Sequence, residues 1–521
     1  MGGFRETILN NRARLIIFAV LFILFFTAIR GMDTEDWTIT LLRGLSVGAI
    51  TFLVAAGLSL IFGLMDVLNL AHGELFMLGA YVGWTVYVRP DTFMDVLTFS
   101  TIIGAGLVLL PLWRYLYSNW RPSQSMANIW PWIVLAATLV LLFFAIREYP
   151  LSIWDPEDFT QSPGAFSLAV SQGMLVLPEP PNYESIPPAV GLGALFLGGL
   201  LLGVALVGIE QRKLAALIET HFSWRAIVMS AGLLILGLIF FWFNDPITEY
   251  LLNMNTAARF FLAMAVAALS GLGLGALVEK SMIRPLYDRP IYQIMLTLGL
   301  GFIIIEVVQA IWGRPGFGLP KADIFSGTGE GCPATNFSEL LENQCSTIVL
   351  FDGRVRTYNE IFIILIGVVV LVGIWLLLQK TRIGMTIRAG VQDSEMVEAL
   401  GINVRRVFTF VFALGVGLAA LGGILAAPSI GLSPEMGTRL LLLALIALAV
   451  GGLTSFPGAA AGAVLVGLLQ QFIIKYGQIG INLPFLDEPF KPTPPLVPAS
   501  TVLLMVILLL VLPHGLFGRR E

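Results

Sequence analysis

Charge is scarce in this chain. Only 12% of its 521 residues are Asp, Glu, Lys or Arg, against roughly 25% in a soluble protein. That deficit, beside 57% hydrophobic residues and a mean hydropathy of +0.86, excludes a soluble globular domain. Metal ligands are scarcer still. The three histidines, His72, His221 and His514, lie far apart, and the two cysteines share one segment. No zinc-type ligand spacing exists, so no metal is expected. No lysine follows a glycine, which removes the Walker A phosphate loop and ATP hydrolysis by that route. No catalytic set is visible, no cofactor is expected on this chain, and no nucleic acid is expected as a partner. An enzyme is the weak reading and transport the strong one.

What is present is a succession of apolar runs. A spanning helix needs about 20 largely apolar residues. Spans are expected near 15–30, 40–62, 74–88, 97–113, 129–146, 189–209, 225–243, 258–279, 292–312, 359–379, 407–427, 438–450, 459–475 and 498–512. The fold class is therefore an all-α polytopic membrane protein, with about 12–14 transmembrane helices and interrupted or re-entrant segments. The first run, Leu15 to Ala28, follows Arg5, Arg12 and Arg14. It ends without a small-x-small cleavage site and reads as an uncleaved span rather than a signal peptide.

Alternation tests the orientation. With both termini cytoplasmic, most of the 30 basic residues fall inside, including Arg114, Arg121, Arg284, Arg289, Lys380, Arg382, Arg405 and Arg406. Lys and Arg carry the topology signal, and their excess supports this arrangement. Two loops assigned outside are enlarged. Residues 147–187 are proline-rich and acidic; residues 313–357 hold Cys332 and Cys345. Disulfides persist outside the cytoplasm. A bond between these two closes a short loop and contributes about 3 kcal/mol in the chain-entropy model; free thiols are the alternative.

Three segments break the apolar pattern. The first is Asn69-Leu-Ala-His-Gly-Glu-Leu-Phe-Met-Leu-Gly-Ala-Tyr81. Membrane segments avoid Asn, His, Glu and Gly together, because polar groups there are tolerated only inside protein or along a wet cavity. Asn69, His72, Gly73 and Glu74 are candidates for a substrate path; a structural re-entrant turn is the plainer reading. The second is Gly451-Gly-Leu-Thr-Ser-Phe-Pro-Gly458, where Gly451, Gly452, Pro457 and Gly458 interrupt two short apolar runs. Paired interruptions in two halves of a membrane protein point to a central site; a tight hairpin is the alternative.

The third segment runs from Lys380 to Ile402 on the basic side and includes Gly384 and Arg388. From Asp393 it reads as a short helix, with Asp393 as cap, Ala399 within it and Gly401 as its stop. Met396, Val397 and Leu400 give it an apolar side. Such a helix either docks a separate motor subunit or rests on its own bundle. Glu306 is the clearest acid within a span. A charge at mid-bilayer costs roughly 2.5–3.5 kcal/mol, so Glu306 is expected to face the bundle interior with a partner such as Gln309.

These residues resemble a known family. The Asn69–Tyr81 stretch is similar to the signature of the LivH-type permeases of branched-chain amino-acid ABC importers. Arg284-Pro-Leu-Tyr-Asp-Arg-Pro290, Leu296-Thr-Leu-Gly-Leu-Gly301, the Lys380–Ile402 loop and the Gly451–Gly462 break follow in family-like order. The likeness covers roughly 40–88 and 258–517. It implies a pore formed with a second, LivM-type permease, two ATP-binding cassette ATPase subunits on the coupling loop, a periplasmic solute-binding protein, and a place in the bacterial inner membrane. Related permeases carry urea or short amides, which is the alternative cargo; an ion-coupled secondary transporter is a more distant one. Family members are usually shorter. The expected organisation is an extra span and outer loop (1–38), a first core segment (39–96), an inserted block (97–257) and a second core segment (258–521).

Overall fold

Apolar runs that carry no internal charge satisfy their backbone within the segment, so they fold as helices. In the computed structural model the described residues are 12–118, 123–147, 187–213, 222–314, 316–392, 394–481 and 488–518. Helix α1 covers Arg12–Arg30 and α2 Thr34–Met65. Asp66 ends α2 in the left-handed region at φ 52. A non-helical stretch follows, and α3 begins only at His72 and runs to Val88. Next come α4 (Pro90–Val108), α5 (Leu110–Tyr117), α6 (Gln124–Arg147), α7 (Pro188–Lys213), α8 (Trp224–Trp242) and α9 (Asn244–Asn253). Helix α10 (Thr256–Val278) continues through a π-turn, Glu279–Ile283, and a 3-10 turn, Arg284–Leu286. Helix α11 is Pro290–Trp312 and α12 is Phe337–Glu342.

Strands β1 (Thr347–Leu350) and β2 (Gly353–Arg356) pair antiparallel, with Leu350 opposite Gly353. A second π-turn, Thr357–Phe362, leads into α13 (Ile363–Lys380). The chain then forms α14 (Arg382–Gln392), α15 (Ser394–Ala399), α16 (Val404–Ile430), α17 (Met436–Gly451), α18 (Phe456–Ile479) and α19 (Leu496–Val511). Among the described residues, 10 helices are long and apolar enough to cross a membrane, and the apolar parts of α1, α17 and α19 are shorter. The protein is an all-α multi-pass membrane protein with one small hairpin in a loop.

The described residues form two compact units. One holds the chain up to Trp84 and from Thr256 onward; the other holds what lies between Thr85 and Asn255. In the first unit α2 is the central helix, buried along most of its length and packed by α13, α16, α17 and α18. Close approach depends on small residues. A Cβ on Gly467 would lie 2.4 Å from the Gly44 carbonyl oxygen, and one on Gly275 would lie 2.8 Å from Ala413 Cα. Gly44-Leu-Ser-Val-Gly48 has the letters of a Gly-x-Ser-x-Gly nucleophile elbow, but it lies inside α2 and not on the strand-to-helix turn that exposes such a serine. In the second unit α7 packs on α6 and α4, and α8 packs on α4. Arg89 there pairs with Asp91 at 2.8 Å, and buried Asp95 accepts from Asn244 Nδ2 at 2.5 Å.

The 313–357 loop is an ordered cap on the first unit. Cys332 and Cys345 are joined, with Cα atoms 5.5 Å apart, over a small core of Ala334, Leu340, Ile348 and Val355. Phe317 exchanges both backbone hydrogen bonds with Leu432, at 3.0 and 2.7 Å. Tyr358 donates to the Leu425 carbonyl at 2.8 Å, and Arg43 pairs with the buried Glu360 at 3.1 Å. Of the other enlarged loop, residues 148–186 lie outside the described residues.

Candidate translocation site

The first break is a re-entrant descent. Helix α2 ends at Met65, yet α3 starts with His72 beside Gly57, where a Cβ would be 2.8 Å from His72 Nε2. Gly57 is eight residues before the α2 terminus, about 12 Å along the axis. The stretch from Asp66 to Ala71 thus climbs back into the helical layer. Asn69 holds the turn: its Oδ1 accepts from the Ala71 N–H at 3.1 Å, and its carbonyl accepts from the His72 N–H at 3.3 Å. Leu70 donates its N–H to Thr297 Oγ1 on α11 at 3.2 Å.

The polar groups here are deeply buried. Asn69 and His72 are fully enclosed, and Glu74 is 5% exposed. Glu74 Oε1 accepts from Thr438 Oγ1 on α17 at 3.0 Å. Its other oxygen, and Asn69 Nδ2, find no hydrogen-bond partner among the described residues. Gly301 of α11 flanks that free oxygen: a Cβ there would sit 3.4 Å from it. Gly73 crosses α17 at Gly437, backbone against backbone. The arrangement sets one carboxylate oxygen and one amide with spare capacity beside a helix start, whose first N–H groups lack intrahelical acceptors and carry partial positive charge. Tyr81, Trp84, Trp312 and Phe317 roof it with an aromatic cluster, ring centroids 4.9–5.7 Å apart.

The second break has a different construction. Gly451 and Gly458 face each other so closely that a Cβ on either would meet the other's carbonyl oxygen within 2.4 Å. The hairpin between α17 and α18 begins at Gly452, φ +114, and Ser455 caps α18 through the Gly458 N–H at 3.1 Å, with Pro457 in its first turn. The Val450 and Gly451 carbonyls accept from Leu516 and Phe517 at 3.0 and 2.9 Å. This hairpin lies against the end of α2, where a Cβ on Gly63 would be 3.6 Å from Thr454. Gly451 and Gly437 stand at opposite ends of α17, so among the described residues this hairpin is remote from His72 and Glu74.

In the third segment, Gly384 makes the sharp turn from α13, because a Cβ would collide with the Leu377 and Leu378 carbonyls. Arg388 closes that turn by donating to the Leu378 carbonyl and to Gln379 Oε1. Helix α15 ends at Ala399, and Gly401 at φ +81 stops the chain, with the Ile402 N–H returning to the Val397 carbonyl. Its apolar side divides. Val397 is buried against the chain's own helices, whereas Met396 and Leu400 are 65% and 74% exposed. Asp393 lies outside the described residues.

Glu306 corrects the sequence reading. It stands on the exposed side of α11, among exposed Phe302, Ile303 and Val307, and not in the bundle interior. The buried ridge of α11 is Gln293, Thr297, Gly301, Ile304 and Val308, and Glu306 falls off that ridge. Among the described residues Gln309 does not bond to it. The sequence reading passed over Gly57, Gly437 and Thr438, and it quoted Thr297 and Gly301 only as part of a family-like stretch with no contact assigned. Each is a small or hydroxyl residue in an apolar helix, and only its distant neighbour gives it a role.

The family model for the branched-chain amino acid transport system / permease component matches residues 222–512. The chain belongs to that family. The chain is 30% identical over 171 residues to the high-affinity branched-chain amino acid transport system permease protein BraD of Pseudomonas aeruginosa, covering 33% of this chain and 51% of that one. It is 23% identical over 301 residues to the corresponding protein LivH of Salmonella typhimurium, covering 57% and 82%. It is 28% identical over 233 residues to the fructose import permease protein FruF of Bifidobacterium longum, covering 43% and 57%. The chain thus spans about half the length of BraD and most of LivH. No solved structure matches it.

Proposed function

We propose that this chain is the transmembrane permease subunit of an ATP-binding-cassette importer that carries branched-chain amino acids. It sits in the bacterial inner membrane with both termini in the cytoplasm and forms its pore with a second permease. A solute-binding protein delivers cargo to the outer face. Two ATPase subunits dock on α15 and its flanks, where Met396 and Leu400 are exposed. Alternating access then moves the cargo past the first break.

One observation carries the reading: Glu74 presents an unpaired carboxylate oxygen beside the start of α3. A free amino acid bears an ammonium and a carboxylate. The acid suits the first, and the helix start suits the second. A neutral sugar, urea or short amide needs neither charge. The relatives named for branched-chain amino acids support the same cargo class.

The test is reconstitution of the assembled complex in liposomes, with labelled leucine and its binding protein. Accumulation that needs ATP and the ATPase subunits supports the proposal. Accumulation by this chain alone along an ion gradient overturns it in favour of a secondary transporter. Uptake of urea but not leucine moves the cargo to the amides.

A further inference from the structure

A second buried carboxylate lies outside the break. Glu279, fully enclosed in the π-turn that ends α10, is saturated by four donors. Its Oε1 accepts from Arg284 Nε at 3.1 Å and from the Tyr287 hydroxyl at 2.5 Å. Its Oε2 accepts from Arg284 Nη2 at 2.9 Å and from Thr409 Oγ1 at 2.7 Å. Arg284 Nη2 also donates to Thr409 Oγ1 at 2.6 Å and approaches the Arg405 carbonyl at 3.5 Å. Arg405 and Thr409 lie in the first turns of α16, directly after the α15 segment. Bidentate, charge-assisted bonds of this kind fix geometry as well as add energy.

The same cluster reaches the break through α11. The Leu286 carbonyl, one residue from Tyr287, accepts from Gln293 Nε2 at 2.6 Å. One turn further along α11, Thr297 holds the Leu70 N–H at 3.2 Å. Another turn on, Gly301 lies beside Glu74. Gln293, Thr297 and Gly301 recur every four residues and share one buried face of a rigid helix.

We propose that Glu279 is a positioning residue that ties the start of α16 to the Asp66–Ala71 break, with α11 as the connecting rod. Its use, converting motion of the motor-docking segment into motion of the break, rests on the permease reading above; the tie itself does not.

The experiment uses the full chain in its assembled complex and reads two quantities. The first is amide exchange at Leu70 and Ala71; the second is leucine imported per ATP hydrolysed. Coupling of the size carried by packed networks corresponds to about tenfold. Glu279→Gln is expected to speed exchange at Leu70 about tenfold, leave exchange in α18 unchanged, and lower import per ATP by a similar factor while cargo-independent hydrolysis persists. Gln293→Leu, which cuts the Leu286 contact and leaves Thr297 on the Leu70 N–H, is expected to reproduce the effect, which keeps the test decisive should Glu279→Gln fail to fold. Unchanged exchange at Leu70 in a folded Glu279→Gln, or in Gln293→Leu, overturns the tie. An unsubstituted complex that imports no amino acid overturns the permease reading instead, and the exchange result still decides the tie.

Discussion

Gly73 and Gly437 meet carbonyl to Cα. A Cβ on Gly73 would lie 2.3 Å from the Gly437 oxygen, and one on Gly437 would lie 2.5 Å from the Gly73 oxygen. No rotamer relieves a collision with backbone, so the two helices must part if either residue grows. Gly73→Ala or Gly437→Ala is expected to cost about 1–3 kcal/mol by overpacking. Thermal unfolding of the purified chain in detergent measures it; an unshifted transition contradicts the packing described.

Glu74 separates charge from shape. Glu74→Gln keeps an oxygen for the Thr438 hydroxyl, now 3.0 Å from the carboxylate, and removes only the negative charge. Leucine uptake by the complex is expected to fall at least about tenfold, equivalent to about 1.4 kcal/mol, with expression and membrane insertion unchanged. Wild-type uptake in Glu74→Gln refutes the ammonium-binding role.

Gly401 stands at φ +81, and nothing crowds its Cα. The cost of a side chain there is conformational and not steric. Gly401→Val is expected to destabilise the α15 stop by about 1–2 kcal/mol and to weaken ATPase association, while the spanning helices stay intact. Leu400→Asp, on the exposed side of the same turn, is expected to weaken that association without altering the fold. Co-purification of the ATPase subunits reads both; undiminished recovery with both variants removes α15 from the docking surface.

The 313–357 cap is expected to respond to acid. The Glu339 carboxyl is held below its ordinary range by the Thr335 backbone N–H, then by the Thr335 hydroxyl, with Asn336 adding to both. A lowered carboxyl pKa means the folded state binds fewer protons than the unfolded one. The contribution is fully present above the ordinary Glu value and is lost as pH falls through the lowered one. Amide exchange of α12 is expected to accelerate across that acid window, and Glu339→Gln is expected to abolish the pH dependence. A profile shared by both proteins argues against the assignment.

Bridging Cys332 and Cys345 constrains the same cap. Reduction, or Cys332→Ser with Cys345→Ser, is expected to remove about 3 kcal/mol of local stability on the chain-entropy model. Limited proteolysis between β1 and residue 330 reports it.

Spans were legible because run length alone encodes them. The expected 407–427 and 459–475 sit inside α16 and α18. Ends were harder. A span was expected from 97, yet α4 begins at Pro90, where proline at the first helical position loses no hydrogen bond. The first break was legible through Asn69, His72 and Glu74, because polar residues amid apolar ones need a reason. Its supports were not: Thr297 and Thr438 look like any threonine in a helix, and each is more than 200 residues from the group it holds. The orientation of Glu306 failed for a related reason. Helix α11 is apolar all round, so its sequence carries no stripe to say which side turns inward.

The backbone pairing of Phe317 with Leu432 ties the 313–357 cap to the start of α17. Leu432 opens the short turn into α17, and Gly437 and Thr438 stand in the first turn of that helix, gripping Gly73 and Glu74. A pull on the 313–357 cap would therefore reach the Gly73–Gly437 crossing, with only a few residues of slack between handle and latch.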